Sequence, residues 1–168
     1  MSSNFRTRVL LEDILKIYNP RGFGFICQLI LGFTFIDLGF KILEFKLSGR
    51  PDMIVKKDTE VYAIEVKAPV ENDVVFAKED IEGVIETNYK PLLAILSYPE
   101  ADVKWIIIDA KLMRPGKFNK ISLERYSIKQ IENDVSNAFP CTFEKYYEIA
   151  KSYGIKNLHN VLKKGISS

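Results

Sequence analysis

The stretch that most constrains this chain runs from Gly49 to Pro69, where two strand-forming segments flank a short polar break. Met53-Ile54-Val55 comes first, Lys56-Lys57-Asp58-Thr59 interrupts, and Val61-Tyr62-Ala63-Ile64-Glu65-Val66-Lys67 follows. β-branched and apolar residues on either side of turn formers predict a β-hairpin. A strand sends alternate side chains to opposite faces, so Glu65 and Lys67 share one face while Tyr62, Ile64 and Val66 share the other. A hairpin folds the start of its first strand back beside the end of its second. Asp52 is therefore expected next to Glu65 and Lys67. Two carboxylates and an ammonium on one side of a sheet suit a divalent metal and an activated water.

The 168 residues allow one domain with additions rather than two ordinary domains, and 47% hydrophobic residues is a globular composition. With 24 Lys and Arg against 22 Asp and Glu there is no global field pointing to nucleic acid, so a DNA surface must be a local patch. Cys27 and Cys141 belong to no CxxC or Cys/His cluster, which argues against zinc. The polar start, Met1 to Arg8, lacks the apolar core of a secretion signal. A reducing, cytoplasmic setting with both thiols as packing residues is the expectation. Residues 22–40 are almost wholly apolar, and a spanning helix needs about 20 such residues. Internal Gln28 and Asp37, and the lack of a break before the next strand, favour a buried or dimer-facing helix over a membrane segment.

In order, residues 5–18 have one apolar side at helical period and should stop at Asn19-Pro20, because proline disfavours a helical residue before it. Gly22 and Gly24 read as a joint, 25–38 as a second helix ending near Gly39, and 40–47 as a strand leading to the hairpin. Residues 70–76 read as a loop and 77–89 as an acidic amphipathic helix. The apolar runs 92–96 and 103–109 read as covered strands. Residues 111–120 read as a basic exposed loop, 121–127 as an edge strand, and 128–139, 142–153 and 156–164 as helices. The predicted fold is α/β, a mixed central sheet flanked by helices with a helical C-terminal extension. Its expected parts are an N-terminal helix (1–21), a core (22–110) and an extension (111–168).

Pro51-Asp52, followed by Glu65-x-Lys67, matches the signature of the PD-(D/E)xK nuclease superfamily, with its restriction-endonuclease-like fold. The residues beyond it, Val75-Phe76-Ala77-Lys78-Glu79-Asp80, Pro91-Leu92-Leu93-Ala94-Ile95 and Trp105-Ile106-Ile107, make the core resemble the archaeal Holliday-junction resolvases. The resemblance implies a metal-dependent DNA endonuclease, with Asp52 and Glu65 holding Mg²⁺ (Mn²⁺ substituting) and Lys67 activating the water. It also implies a two-fold homodimer acting on branched or duplex DNA, for which the apolar stretch 23–35 offers a surface. The family carries a glutamate on its first core helix; counting back from Gly39-Phe40 puts Gln28 there, a neutral oxygen ligand. Glu12 is the alternative third carboxylate. For the DNA backbone the nearest cations are Arg21, Arg50, Lys56, Lys57 and Lys78.

Other readings stay open on the sequence. Pro-Asp can simply open a strand and Glu-x-Lys form a solvated cross-strand ion pair. The motif also serves sequence-specific restriction and DNA-repair nucleases, and a non-catalytic DNA-binding module can keep the fold. Near the end, Ala150 and Gly154 have helix-turn-helix spacing, with Lys156, Lys163 and Lys164 as phosphate contacts; a helical hairpin capping the sheet fits as well. His159, the single histidine, has no partner in sequence and reads as a surface residue.

Overall fold

The computed structural model describes residues 3–167. Helix α1 (Ser3–Ile17) buries Leu11 and Ile14 and ends ahead of Asn19-Pro20. Helix α2 (Pro20–Asp37) starts there, because the Asn19 side chain accepts a hydrogen bond from the Gly22 amide at 2.7 Å and Pro20 occupies the first turn. Gly22 and Gly24 therefore lie inside α2, which corrects the expected joint. At the other end Gly39 takes φ 90°, a conformation open to glycine, and the chain turns into strand β1 (Lys41–Phe45).

Strands β2 (Met53–Lys57) and β3 (Glu60–Lys67) form the hairpin, with Met53 facing Ile64 and Lys57 facing Glu60. Strand β4 (Asp73–Phe76) and helix α3 (Lys78–Ile85) then lead to β5 (Lys90–Leu96) and β6 (Trp105–Asp109). The main sheet has five strands in the order β1-β2-β3-β5-β6. The β3–β5 pair is parallel and the others antiparallel, so the sheet is mixed as expected. Strand β4 instead pairs with β7 (Gly116–Asn119) in a separate ribbon. Residues 70–76 and 111–120 are thus not simply loops: Val74 and Phe76 face inward while Val75 is exposed, and Phe76 meets the Phe118 ring at 5.9 Å. The expected edge strand 121–127 is a 3-10 helix, Ile121–Tyr126, which buries Leu123. Only Ser127 makes an isolated bridge to Ile108.

Helix α4 (Lys129–Ser167) runs unbroken through Pro140 and is interrupted at Gly154, where φ is 84°. A helix break at Pro140 was the expectation. Burial of Val135, Phe139, Phe143 and Tyr147 along one face outweighs the hydrogen bond that proline forgoes. The two arms, 129–153 and 155–167, lie across α2, α1 and the sheet. Phe33 stacks on Tyr146 at 3.7 Å and Phe139 meets Trp105 edge-on at 5.5 Å. Phe23, Ile26, Leu29, Ile30, Leu31 and Phe35 are fully buried in consequence. Each such side chain contributes about 1.5–3 kcal/mol. Most of the stretch 23–35 is therefore covered within the chain rather than left as an apolar surface, with Gly24 and Phe25 partly exposed. No helix among the described residues is long and apolar enough to cross a membrane.

The opposite sheet face, bearing Ile54, Ala63, Leu93, Ile95, Ile106 and Ile108, packs on Ile81 and Val84 of α3 and on the β4–β7 ribbon. Lys120, just past β7, is fully buried and donates to the carbonyls of Pro69 and Tyr98 at 2.6 and 2.5 Å. It ties the ribbon to the ends of β3 and β5. Of the two thiols, Cys27 is a packing residue and Cys141 is exposed.

Candidate active site

One step beyond the Met53–Ile64 pair, Asp52 falls opposite Glu65 on the face covered by α3. Both are buried, at 7% and 5% exposure, on the floor of an open cleft of about 430 Å³. The Val66 amide donates to Asp52 Oδ2 at 2.7 Å, and the titrations of the two carboxyls are linked. Burial is the main reason that both carboxyls titrate above the usual range. Glu65 is raised further by the Asp52 charge, whereas the Val66 amide partly holds Asp52 down. The Asp52 charge opposes ionisation of Glu65, so Glu65 holds its proton more tightly than an isolated carboxyl does.

Lys67 shares their face, as the strand period requires, but its ammonium is 2.8 Å from Asp80 Oδ2. Asp80 lies on α3 and is 2% exposed. Its Oδ2 also accepts the Ala77 amide at 2.8 Å, and its Oδ1 accepts Arg50 Nε at 3.2 Å. Burial opposes ionisation of Asp80, yet the bonds from Lys67, Ala77 and Arg50 outweigh it and hold the pKa below the ordinary value.

Gln28, from α2, lines the cleft with its amide nitrogen donating to the Lys46 carbonyl at 2.7 Å. That bond leaves the amide oxygen as the side chain's donor toward a cation. Glu12 instead pairs with Arg8 on α1 at 3.4 Å and is not a cleft residue. Among the described residues no three His, Cys, Asp or Glu side chains form a metal-holding group. The site offers two carboxylates and one amide. This set fits a hard divalent cation, which takes oxygen ligands and keeps several waters. Glu65 Oε2 is buried without a hydrogen-bond partner, which is where a cation would supply the missing interaction.

Of the cations predicted to meet DNA, Arg21 lines the cleft, packed over the Phe25 ring at 5.4 Å, and Arg50 lies beside it on Asp80. Lys78 is exposed on α3 and paired with Glu82 at 3.4 Å. Lys56 and Lys57 are at the far end of β2, outside the cleft; Lys57 donates to the Leu38 carbonyl at 2.9 Å and lies over the Phe40 ring. The sequence reading of the site missed Asp80. Its signal was an acid at the third position of a helix, where it caps its own first turn.

No family model matches the chain, and no curated protein matches its sequence. A solved structure with a similar fold is the Holliday junction resolvase Hjc of the hyperthermophilic archaeon Archaeoglobus fulgidus. The two are 17% identical, the match covers 60% of this chain and 90% of that one, and the TM-score is 0.47.

The remaining tail residues are not at the site. His159 packs against the Phe45 ring at 5.7 Å. Ala150 and Leu158 are buried on either side of the Gly154 break, so this segment packs on the molecule, while Lys156, Lys163 and Lys164 are exposed.

Proposed function

We propose that this chain is a metal-dependent DNA endonuclease that hydrolyses phosphodiester bonds with Asp52, Glu65 and Lys67, and with Gln28 as an auxiliary ligand. The observation that carries this is the buried Asp52–Glu65 pair at the floor of an open cleft, one oxygen of it without a partner. Mg²⁺, or Mn²⁺ in its place, would supply a Lewis acid and a water made nucleophilic at neutral pH. Asp52 and Glu65 would contribute the anionic oxygens that hold it, and Gln28 a neutral one. A bound cation would favour the ionised form of both carboxyls, because ligand carboxylates must be deprotonated. Lys67, at the cleft wall, offsets the negative charge that builds on the phosphate oxygens. Arg21 and Arg50 are suited to hold the flanking backbone phosphates.

Branched DNA is the substrate class that the resolvase resemblance suggests, and a two-fold dimer would need a surface other than the covered part of α2. The experiment incubates the full chain with labelled four-way junction, flap, single-stranded and duplex DNA in Mg²⁺, Mn²⁺ or chelator. Metal-dependent nicking is expected, with the junction cut fastest. Equal cleavage of plain duplex points to a restriction or repair nuclease. Gln28 in place of a carboxylate favours a second reading, a DNA-binding module without catalysis, and salt-sensitive binding with no nicking in either metal selects it.

A further inference from the structure

We propose that Asp80 is a positioning residue that holds the Lys67 ammonium away from Asp52 and Glu65, keeping the carboxylate pair open to a cation. This rests on the metal-binding reading of that pair. Lys67 follows Glu65 by two positions on the same face of β3, so its flexible stem gives it an obvious alternative partner in the two carboxylates. Its charge already acts on both of them. An ammonium settled between Asp52 and Glu65 would neutralise the site from within and compete with any incoming ion.

The geometry prevents this. Asp80 takes Lys67 at 2.8 Å from across the sheet face and is itself fixed by the Ala77 amide and by Arg50. Its place in the first turn of α3, where it accepts the Ala77 amide, favours the ionised form. Gly83 makes the cluster possible, since a Cβ there would stand 2.9 Å from Arg50 Cβ. Arg50 thus closes over Asp80 only because α3 has no side chain at that point. Two cations on one carboxylate leave this cluster itself net positive, with Lys67 at the cleft wall.

A plain structural ion pair would stabilise α3 without changing how a metal binds, and a double-mutant cycle separates the two. Mn²⁺ is titrated calorimetrically into the full chain and into Asp80→Asn, Lys67→Ala and the double variant, with folding verified by circular dichroism. Asparagine keeps an acceptor for the Ala77 amide while dropping the charge that holds Lys67. In Asp80→Asn the Kd for Mn²⁺ should rise about tenfold or more. The same substitution should have little effect once Lys67 is alanine. A loss of equal size in both backgrounds assigns the effect to the Asp80 charge alone and overturns the proposal, as does an unchanged Kd in Asp80→Asn. Absence of Mn²⁺ binding by the wild-type chain overturns the metal reading and this inference together. If Asp80→Asn does not fold, Asp80→Ser, a smaller capping side chain, carries the same cycle.

Discussion

Asp52 accepts the Val66 amide at 2.7 Å, which ties a carboxylate at the start of one strand to the peptide that follows Glu65 on the next. The bond fixes the spacing of the two carboxyls through the backbone rather than through side-chain packing. Glu65→Ala should therefore leave the hairpin in place and keep DNA binding, while lowering Mg²⁺-dependent cleavage by about 100-fold or more, as several kcal/mol of charge stabilisation goes with the cation. Nicking and gel-shift assays on the same preparation check both halves. Unchanged cleavage would remove Glu65 from the site.

Stability should depend on pH in a direction set by the same pair. Burial raises Glu65 above its ordinary value, so the folded chain keeps a proton that the unfolded chain releases. The contribution is complete below the unfolded value and is lost as pH rises through the folded one. In chelator, urea midpoints should fall from pH 5 toward pH 9, and Glu65→Gln should flatten that slope.

Gly83→Ala adds a good helix former in α3, worth about 1 kcal/mol in an open helix. Here the new Cβ would crowd Arg50 Cβ at 2.9 Å. The expected result is no gain in stability together with weaker DNA binding, measured by thermal unfolding and by salt titration of the complex.

Phe139 is 1% exposed and meets Trp105 edge-on, so Phe139→Ala should cost about 3–5 kcal/mol. Equilibrium urea unfolding measures it. A loss under 1 kcal/mol would mean that the 129–153 arm is not part of the cooperative core.

Lys120→Met fills similar space but removes the donor shared by the Pro69 and Tyr98 carbonyls. Leaving these unpaired should cost about 1–3 kcal/mol. Hydrogen exchange should quicken around β4 and β7 before the main sheet loosens.

The hairpin was legible because its signals are local: turn formers at 56–59, alternation along 61–67, and a register that follows from the turn. Asp52 and Glu65 came with it. The β4–β7 ribbon was not, since Asp73 pairs with Asn119 across a long separation, and four residues of alternation in each strand are too few to stand out. Ile121 and Leu123 have strand-like composition, but Leu123 is buried within a 3-10 turn. Pro140 looked like a helix end because sequence weighs the lost hydrogen bond and cannot weigh the aromatic packing around Phe139 and Phe143. Lys67 was readable as a site residue, whereas its partner Asp80 depends on where α3 crosses the sheet, which no periodicity encodes.

The covering of α2 by α4 also bears on how the chain is made. The most apolar helix is synthesised before α4, and the ninety or so residues between Asp37 and Lys129 must follow before its cover exists. Until then it presents an apolar rod to the surroundings, the kind of transiently exposed surface that promotes aggregation. This part of the core closes only when residues 129–167 pack over α1 and α2.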